Sequence, residues 1–378
     1  MTILFIVLLV LIFHTYIGYP VALRLLNMFV KPYKVNKAGV YPFVSIVIPA
    51  YNEQAAIAEK LENVLSLDYP KDKIEIVVAS DCSSDNTDAI VRSFSLRGVR
   101  LCRLRNRGGK IAAYRNVIPS LKGDIIIFSD ATGILEKDGI LKLVRNFNDK
   151  KVGCVGGRLK YVDPGELSIG EGEKTYWEYE DGVKNFESRL SSLTSVSGTF
   201  YAVRKGLYPI YIKDYLADDL LVPLTVKKRG FLTVFEPEAV CREVTVPTGK
   251  DEIKKRVRIT VQNIGGLLDQ ACMLNFIKYG LYSVMLISHK LFRLLSPFLL
   301  IMLFLVCLMM SFGSLFYLML LICQVLFYVL GITGHFYHNN RPKLLNAVYY
   351  FCLSNYAIFV GFLEYASGNR MATWETAR

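Results

Sequence analysis

Four polar clusters stand where apolar runs stop in this chain of 378 residues, and their residue types point to phosphate and metal chemistry. The first is Pro49-Ala50-Tyr51-Asn52-Glu53. The second, Asp81-Cys82-Ser83-Ser84-Asp85-Asn86-Thr87, crowds two carboxylates and several hydroxyls into one turn. The third, Asn106-Arg107-Gly108-Gly109-Lys110, precedes a helical run from Ile111 to Asn116. Glycines and a lysine at a helix start suit a phosphate cradle, because free backbone N–H groups and the helix dipole both favour an anion. The G-x-x-x-x-G-K spacing of a P-loop is missing. The fourth is Ser129-Asp130-Ala131-Thr132, where Asp130 is placed to ligate a divalent cation bridging a diphosphate, since hard cations take carboxylate oxygens. Asp218-Asp219 opens a further helical run. Each acidic residue has a structural alternative, the capping of a helix N-terminus, so no cluster decides the matter alone.

Strands must position these clusters. FVSIVIPA (43–50), IEIVVASD (74–81) and DIIIFSDA (124–131) are short runs rich in Val and Ile, with helical stretches between them. Continuous apolar strands alternating with helices predict a mostly parallel sheet covered on both faces, an α/β fold. Ligands of such sheets bind at the carboxyl ends of the strands, which is where the clusters lie.

Apolar sequence brackets this region. Hydrophobic residues make up 52% of the chain and the mean hydropathy is +0.32, with the excess at the two ends. Residues 1–30 predict a retained spanning helix of the required length of about 20 residues, and no cleavage site is visible. Lys31, Lys34 and Lys37 follow it, so the positive-inside bias places residues 43–250 in the cytoplasm. Residues 251–290 predict amphipathic interfacial helices, with Ile253, Val257, Val261, Ile264, Leu268 and Ala271 on one face and Lys254, Arg258 and Gln262 on another. Residues 291–366 predict three transmembrane helices, near Leu291–Met310, Leu315–Thr333 and Leu344–Tyr365, before a tail at 367–378. One crossing before the domain and three after it place the C-terminus outside. The net charge of +12 suits an anionic membrane surface or phosphate-bearing substrates; with apolar ends of this kind, nucleic acid is not an expected partner. Eight cysteines show no C-x-x-C spacing, so neither a zinc site nor a disulfide framework is expected.

The order of the clusters strongly resembles the membrane-bound family 2 glycosyltransferases, whose fold is GT-A. The resemblance continues through Ser197-Gly198-Thr199, Tyr201 to Lys205, Ala217-Asp218-Asp219-Leu220, Gly230, Glu236-Pro237-Glu238-Ala239, the run KKRVRI at 254–259, Gly368 and the closing TWETAR. It is closest in pattern to the synthases of hyaluronan, poly-N-acetylglucosamine and cellulose. It implies an inverting transfer of a sugar from a nucleotide-diphosphate donor, a UDP-sugar by this resemblance, to a growing polysaccharide or a lipid-linked glycan. It also implies a bacterial inner membrane and other polysaccharide-assembly proteins as partners. By the same resemblance Tyr51, Glu53 and Asp81 contact the base and ribose, and Lys110 lies near the phosphates. Asp130 is the first Asp of the Asp-x-Asp metal motif, for Mg²⁺ or Mn²⁺; Thr132 stands where the second Asp belongs. Asp219 matches the catalytic base, with Asp218 beside it. Arg258 matches the Arg of Gln-x-x-Arg-Trp, while Lys255 and Ile259 replace the Gln and Trp, which weighs against a processive polymerase. Two other readings remain: transfer of one sugar to a polyprenyl or other lipid acceptor, and an inactive assembly or transport subunit that keeps the fold.

Overall fold

The computed structural model describes residues 1–162, 168–245, 248–337 and 341–374. The end of the tail, 375–378, and residues 338–340 of the polar connector before the last apolar stretch lie outside these residues. The apolar runs form strands β1 (Val44–Ala50), β2 (Ile74–Ser80), β3 (Val99–Arg103) and β4 (Ile125–Ser129). Four more complete one sheet: β5 (Ile134–Leu135), β6 (Val152–Val162), β7 (Phe200–Arg204) and β8 (Leu232–Val244). The order is β3-β2-β1-β4-β7-β6-β8-β5. The first four strands are parallel, β7 runs antiparallel to both β4 and β6, and β8 is parallel to β6. The GT-A class read from the sequence is present, as a mixed sheet.

Two cores explain the unbroken apolar strands. Every residue of β1 is buried. Val47, Val77, Ile126 and Phe128 face one core, while Ile46, Ile48, Ile76, Val78, Ile125 and Ile127 face the other. Successive strand residues point to opposite faces, so a sheet buried on both has no polar positions to alternate. Each such side chain contributes roughly 1.5–3 kcal/mol of burial.

Helices α1 (Thr2–Phe29), α2 (Ile57–Leu65), α3 (Thr87–Ser93), α4 (Lys110–Val117), α5 (Gly139–Val144), α6 (Ser168–Leu190), α7 (Asp218–Lys228), α8 (Gly249–Asp269), α9 (Leu281–Ser311), α10 (Leu315–Phe336) and α11 (Lys343–Ala366) follow in order. Among the described residues α1, α9, α10 and α11 are long and apolar enough to cross a membrane. The boundary expected at 290/291 is absent. The helix that contains Leu291–Met310 starts at Leu281 and passes through a wide turn at Ile287–Leu291. Helix α8 starts at Gly249, where the Thr248 hydroxyl accepts the Asp251 N–H at 3.2 Å. It buries Val257, Val261 and Ile264, leaves Leu268 exposed and stops before Ala271.

The side of the C-terminus is a correction. Helix α11 lies beside α8 along most of its length. The Tyr350 hydroxyl bonds Glu252 at 2.9 Å, a methyl group built on Gly361 would come within 2.6 Å of Thr260, and Tyr365 approaches Gly265. Beyond α11 the Gln262 amide donates to the Met371 carbonyl at 3.1 Å, and Trp374 packs edge-on to Tyr51 with ring centroids 6.2 Å apart. Residues 371–374 therefore lie against the strand-end loops of the α/β domain and share its side. One crossing before that domain and three after it do not give this arrangement; α11 has buried polar residues, Asn346 and Asn355 among them, and packs on α8.

Candidate active site

Tyr51, Asp81 and Asp130 follow β1, β2 and β4 directly, so three parallel neighbours deliver them to one edge. The loops after β1 and β2 are knitted together. Asn52 Oδ1 accepts the Ser84 N–H at 2.8 Å, Thr87 Oγ1 accepts the Glu53 N–H at 2.8 Å, and Asp85 accepts the Gln54 and Thr87 N–H groups. Glu53 is buried at the start of this knit. Asp85 and its hydroxyl neighbours thus serve the turn, the alternative weighed for them above. Asp81, fully buried, accepts N–H bonds from Gly108 at 2.7 Å and Gly109 at 2.9 Å. It shapes the glycine loop, which leads straight into α4 and Lys110. Gly109 has φ +91°, a region that only glycine enters cheaply, and a methyl group there would meet the Ala372 carbonyl of the tail at 2.2 Å.

Lys110 extends from α4 to Asp130, Nζ to Oδ1 2.7 Å, and donates to the Gly198 carbonyl at 3.1 Å. Burial pushes its ammonium down, but Asp130, Asp218 and Asp219 outweigh this and hold it above the usual lysine range. A methyl group on Gly198 would lie 3.7 Å from Lys110 Nζ and 3.8 Å from Asp219 Oδ2, so the glycine leaves an open gap between cation and carboxylate. Asp218 and Asp219 begin α7 with different surroundings. Asp218 is buried and accepts the Tyr201 hydroxyl at 2.6 Å. Asp219 is partly open to the gap. Burial and the neighbouring Asp218 charge push its carboxyl up to about 6, against the pull of Lys290 and Lys110. Arg258 reaches the same space from α8. Burial lowers its pKa, while the charges of Asp130, Asp219 and Asp218 oppose that shift.

The Asp-x-Thr departure has a structural counterpart. The Thr132 hydroxyl donates to Glu243 of β8 at 2.8 Å, and the Thr199 hydroxyl reaches the other oxygen of the same carboxylate at 3.4 Å. Buried Lys60 lies beneath this turn, bonded to Ser129 Oγ at 2.6 Å and to the Gly133 carbonyl. Burial lowers the Lys60 ammonium to about 8, and both Asp130 and Glu243 act on it, so the two carboxylates share one small region. Among the described residues no group of three or more His, Cys, Asp or Glu is poised to hold a metal. Asp130, Glu243 and the Thr132 hydroxyl are hard oxygen donors of the kind Mg²⁺ or Mn²⁺ takes, but they are too few to close a coordination shell. They fit a cation completed by phosphate oxygens and water.

The structure brings together Tyr51, Glu53, Asp81, Lys110, Asp130, Thr132, Asp218, Asp219 and Arg258 around this one cleft. Sequence reasoning missed Glu243, Arg107 and Trp374. The Arg107 guanidinium sits over the Tyr51 ring, 3.8 Å from its centroid, and also holds the Trp374 carbonyl. Only the tail's place in the family pattern hinted at Trp374; Glu243 sits in a strand whose sequence gives no sign of a ligand.

The profile of the family described as "Glycosyl transferase family 2" matches residues 45–209. A beta-monoglucosyldiacylglycerol synthase from Trichormus variabilis is 30% identical over 184 residues, 47% of this chain and 39% of that protein. A poly-beta-1,6-N-acetyl-D-glucosamine synthase from Staphylococcus aureus is 26% identical over 221 residues, 57% of this chain and 53% of that one. The chain thus spans about half the length, or less, of these curated relatives. A mannosyltransferase from Pyrobaculum calidifontis, solved with GDP-Man and Mn²⁺, superposes with a TM-score of 0.73 over 96% of this chain and 98% of its own; at 21% identity this establishes the fold alone. The segment that matches the glycosyl transferase family 2 profile is the strand edge that carries the cleft, within a GT-A fold.

Proposed function

We propose that the protein is an inverting glycosyltransferase that moves a sugar from a nucleotide-diphosphate donor to a glycan or lipid-linked acceptor at a membrane surface. One observation carries this reading: a partly open carboxylate, Asp219, faces the gap bounded by the Lys110–Asp130 pair and Arg258. The nucleotide lies along Tyr51 and the loop shaped by Asp81, with its diphosphate toward Lys110 and Arg258. The acceptor hydroxyl gives its proton to Asp219 as its oxygen bonds to the anomeric carbon. The bond from that carbon to the diphosphate breaks on the opposite side, and the electron pair leaves with the nucleoside diphosphate. Asp219 at about 6 is a carboxylate at neutral pH and still basic enough to take a proton. Lys110 and Arg258 offset the charge that develops on the leaving group. A divalent cation held by Asp130, Glu243 and the diphosphate would add to that stabilisation.

The domain lies on the cytoplasmic side, since Lys31, Lys34 and Lys37 follow α1. With the tail on that side too, α1, α9 and α10 cross and α11 lies in the interface with α8. The bacterial inner membrane fits relatives that make a glycolipid and a polysaccharide.

The test is incubation of membranes containing the full chain with a panel of labelled UDP- and GDP-sugars, with and without chelator, followed by extraction and sizing of product. Incorporation from one donor that stops on chelation and returns with Mg²⁺ or Mn²⁺ is the expected result. Full activity in excess chelator would give Asp130 another role, and no incorporation from any donor would overturn the transferase reading.

A further inference from the structure

A second group of charges, on α6 and α9, also acts on Asp219. Helix α6 presents Glu180, Lys184 and Glu187 at i, i+4 and i+7, one face of the helix. His289 of α9 docks on that face, with one ring nitrogen 2.7 Å from Glu187 and the other 3.1 Å from Glu180. Most of the remaining oxygens are taken as well, although Asp181 Oδ1 is buried with no hydrogen-bond partner. Glu187 accepts from Tyr19 and Thr194, Glu180 pairs with Arg293, and neighbouring Asp181 pairs with Arg158 at 2.8 Å. Lys184, only 3% exposed between the two glutamates, feels the Glu180 and Asp181 carboxylates but bonds neither. Its ammonium is buried with no hydrogen-bond partner, 4.6 Å from the centre of the Trp177 ring. Lys290, next to His289 in the wide turn of α9, makes no hydrogen bond or ion pair among the described residues.

Two sets of cations therefore meet at Asp219. Lys110 and Arg258 act on both Asp219 and Asp130, the donor side. Lys290 acts on Asp219, Glu180 and Glu187, and Lys184 feels Glu180, Asp181, Lys290 and Asp219. Burial holds the Lys184 ammonium below the usual lysine range, and the like charge of Lys290 adds to that. The buried Lys184 ammonium has carboxylates nearby but no oxygen hydrogen-bonded to it, which is costly unless a ligand supplies one. In an inverting displacement the side away from the leaving diphosphate belongs to the acceptor.

We propose that Lys184 and Lys290 hold a phosphate of the acceptor, whose neighbouring hydroxyl is the nucleophile presented to Asp219. The reading rests on the transferase function proposed above and names its acceptor class: a hydroxyl compound with an adjacent phosphate. A lipid headgroup is the source favoured by position, because Lys290 belongs to the first turns of a helix long and apolar enough to enter a bilayer. The phosphate is an anchor and not the attacking group, since an ionised phosphate oxygen would need no base at Asp219.

The experiment reconstitutes the full chain in phosphatidylcholine vesicles and supplies the donor that labels membranes. One arm adds phosphatidylglycerol, one a neutral diacylglycerol, and one soluble glycerol phosphate. Parent, Lys184→Met, Lys290→Met and the two Arg variants are compared. The expected result is saturable transfer to a phosphate-bearing acceptor, with its apparent KM raised about 10- to 100-fold in each Met variant, the loss expected for a charge-assisted hydrogen bond. The Arg variants should recover most of it. Nucleotide affinity, read by fluorescence titration, should stay within about two-fold, which separates this site from the donor site and also reports correct folding. Saturation by glycerol phosphate alone would keep the anion site and assign it to a soluble acceptor. Preference for the neutral lipid, or Met variants with an unchanged acceptor KM while transfer continues, would overturn the proposal and leave the transferase reading intact.

Discussion

The two sides of Asp219 that the proposed function gives to donor and acceptor are built in opposite ways. The donor side hangs on turns after parallel strands, and its cations already have carboxylates: Lys110 pairs with Asp130 at 2.7 Å. The acceptor side is made of two long helices, where His289, Arg293, Arg158 and Tyr19 take most of the carboxylate oxygens and the Lys184 ammonium is left without a hydrogen bond. On the donor side, protein charges compensate one another and wait to be displaced by diphosphate and metal. On the acceptor side, the charges lie near one another, but the Lys184 ammonium is buried with no oxygen bonded to it.

The strongest way to break the comparison is to remove the group where the two sides meet. Asp219→Asn keeps size and shape but cannot take a proton, and loss of a general base typically costs about 10²- to 10⁴-fold in rate. Transfer should fall by that order while nucleotide affinity holds, because the base touches the acceptor. If Asp219→Asn transfers near the parent rate and Asp218→Asn does not, the base is one residue earlier. Asp218→Asn should instead be partly active, since Asp218 is buried against the Tyr201 hydroxyl and not open to the gap.

The next largest effect lies on the acceptor side. Glu187 holds Tyr19, Thr194 and His289 together, and so ties α1, the loop after α6 and α9 to one carboxylate. Glu187→Ala leaves the imidazole and two hydroxyls buried without an acceptor. Breaking a buried charged network of this kind costs about 3–5 kcal/mol. A thermal unfolding scan of the detergent-solubilised chain should show a clear drop in midpoint. A midpoint unchanged from the parent would mean that the network does not hold α6 and α9 together, and so does not fix Lys184 and Lys290 beside each other.

These two sides were unequally legible. Tyr51, Asp81, Lys110 and Asp130 could be found because a strand end fixes position within a few residues of an apolar run, and the chain order keeps the clusters close. Glu180, Lys184 and His289 are more than a hundred residues apart at the extremes, on helices whose charges read as solvated faces. Only tertiary packing puts His289 between two glutamates. The second metal-side carboxylate escaped for a related reason: the Asp-x-Thr gap looked like a loss, whereas Thr132 reaches Glu243 on a strand 111 positions later. The side of the tail was illegible too, since hydropathy registers the length and apolarity of α11 but not its buried asparagines or its fit against α8.

A moderate effect sharpens the donor half. Asp81 accepts two backbone N–H groups of the glycine loop, and bonds to an ionised acceptor contribute about 1.5–3 kcal/mol each. Asp81→Ala should loosen the loop and weaken nucleotide binding about 10- to 100-fold. The rate at saturating donor should suffer less. Equal loss in rate with unchanged nucleotide affinity would move Asp81 out of the donor site.

The smallest effect joins the two halves, through the protonation of Asp219. Its carboxyl sits at about 6 because burial and Asp218 push it up, while Lys290 and Lys110 pull it down. A base works only when deprotonated, so the transfer rate should rise through about pH 6 and then level off. Removing a cation that pulls the value down must move that limb upward; removing an anion that pushes it up must move the limb downward. Lys290→Met should therefore shift the acid limb to higher pH, and Asp218→Asn should shift it to lower pH, each by about one unit or less, below the 1–3 units of a direct ion pair. The pair of shifts has opposite signs, so a general loss of structure cannot imitate it. The rate must be read at saturating acceptor, because Lys290→Met is also expected to weaken acceptor binding. A limb that stays fixed in Lys290→Met while acceptor KM rises would keep Lys290 as an anchor but place it too far from Asp219 to tune the base. A limb that fails to move in Asp218→Asn would show that burial alone lifts Asp219, and that the paired carboxylates at the head of α7 are electrically independent.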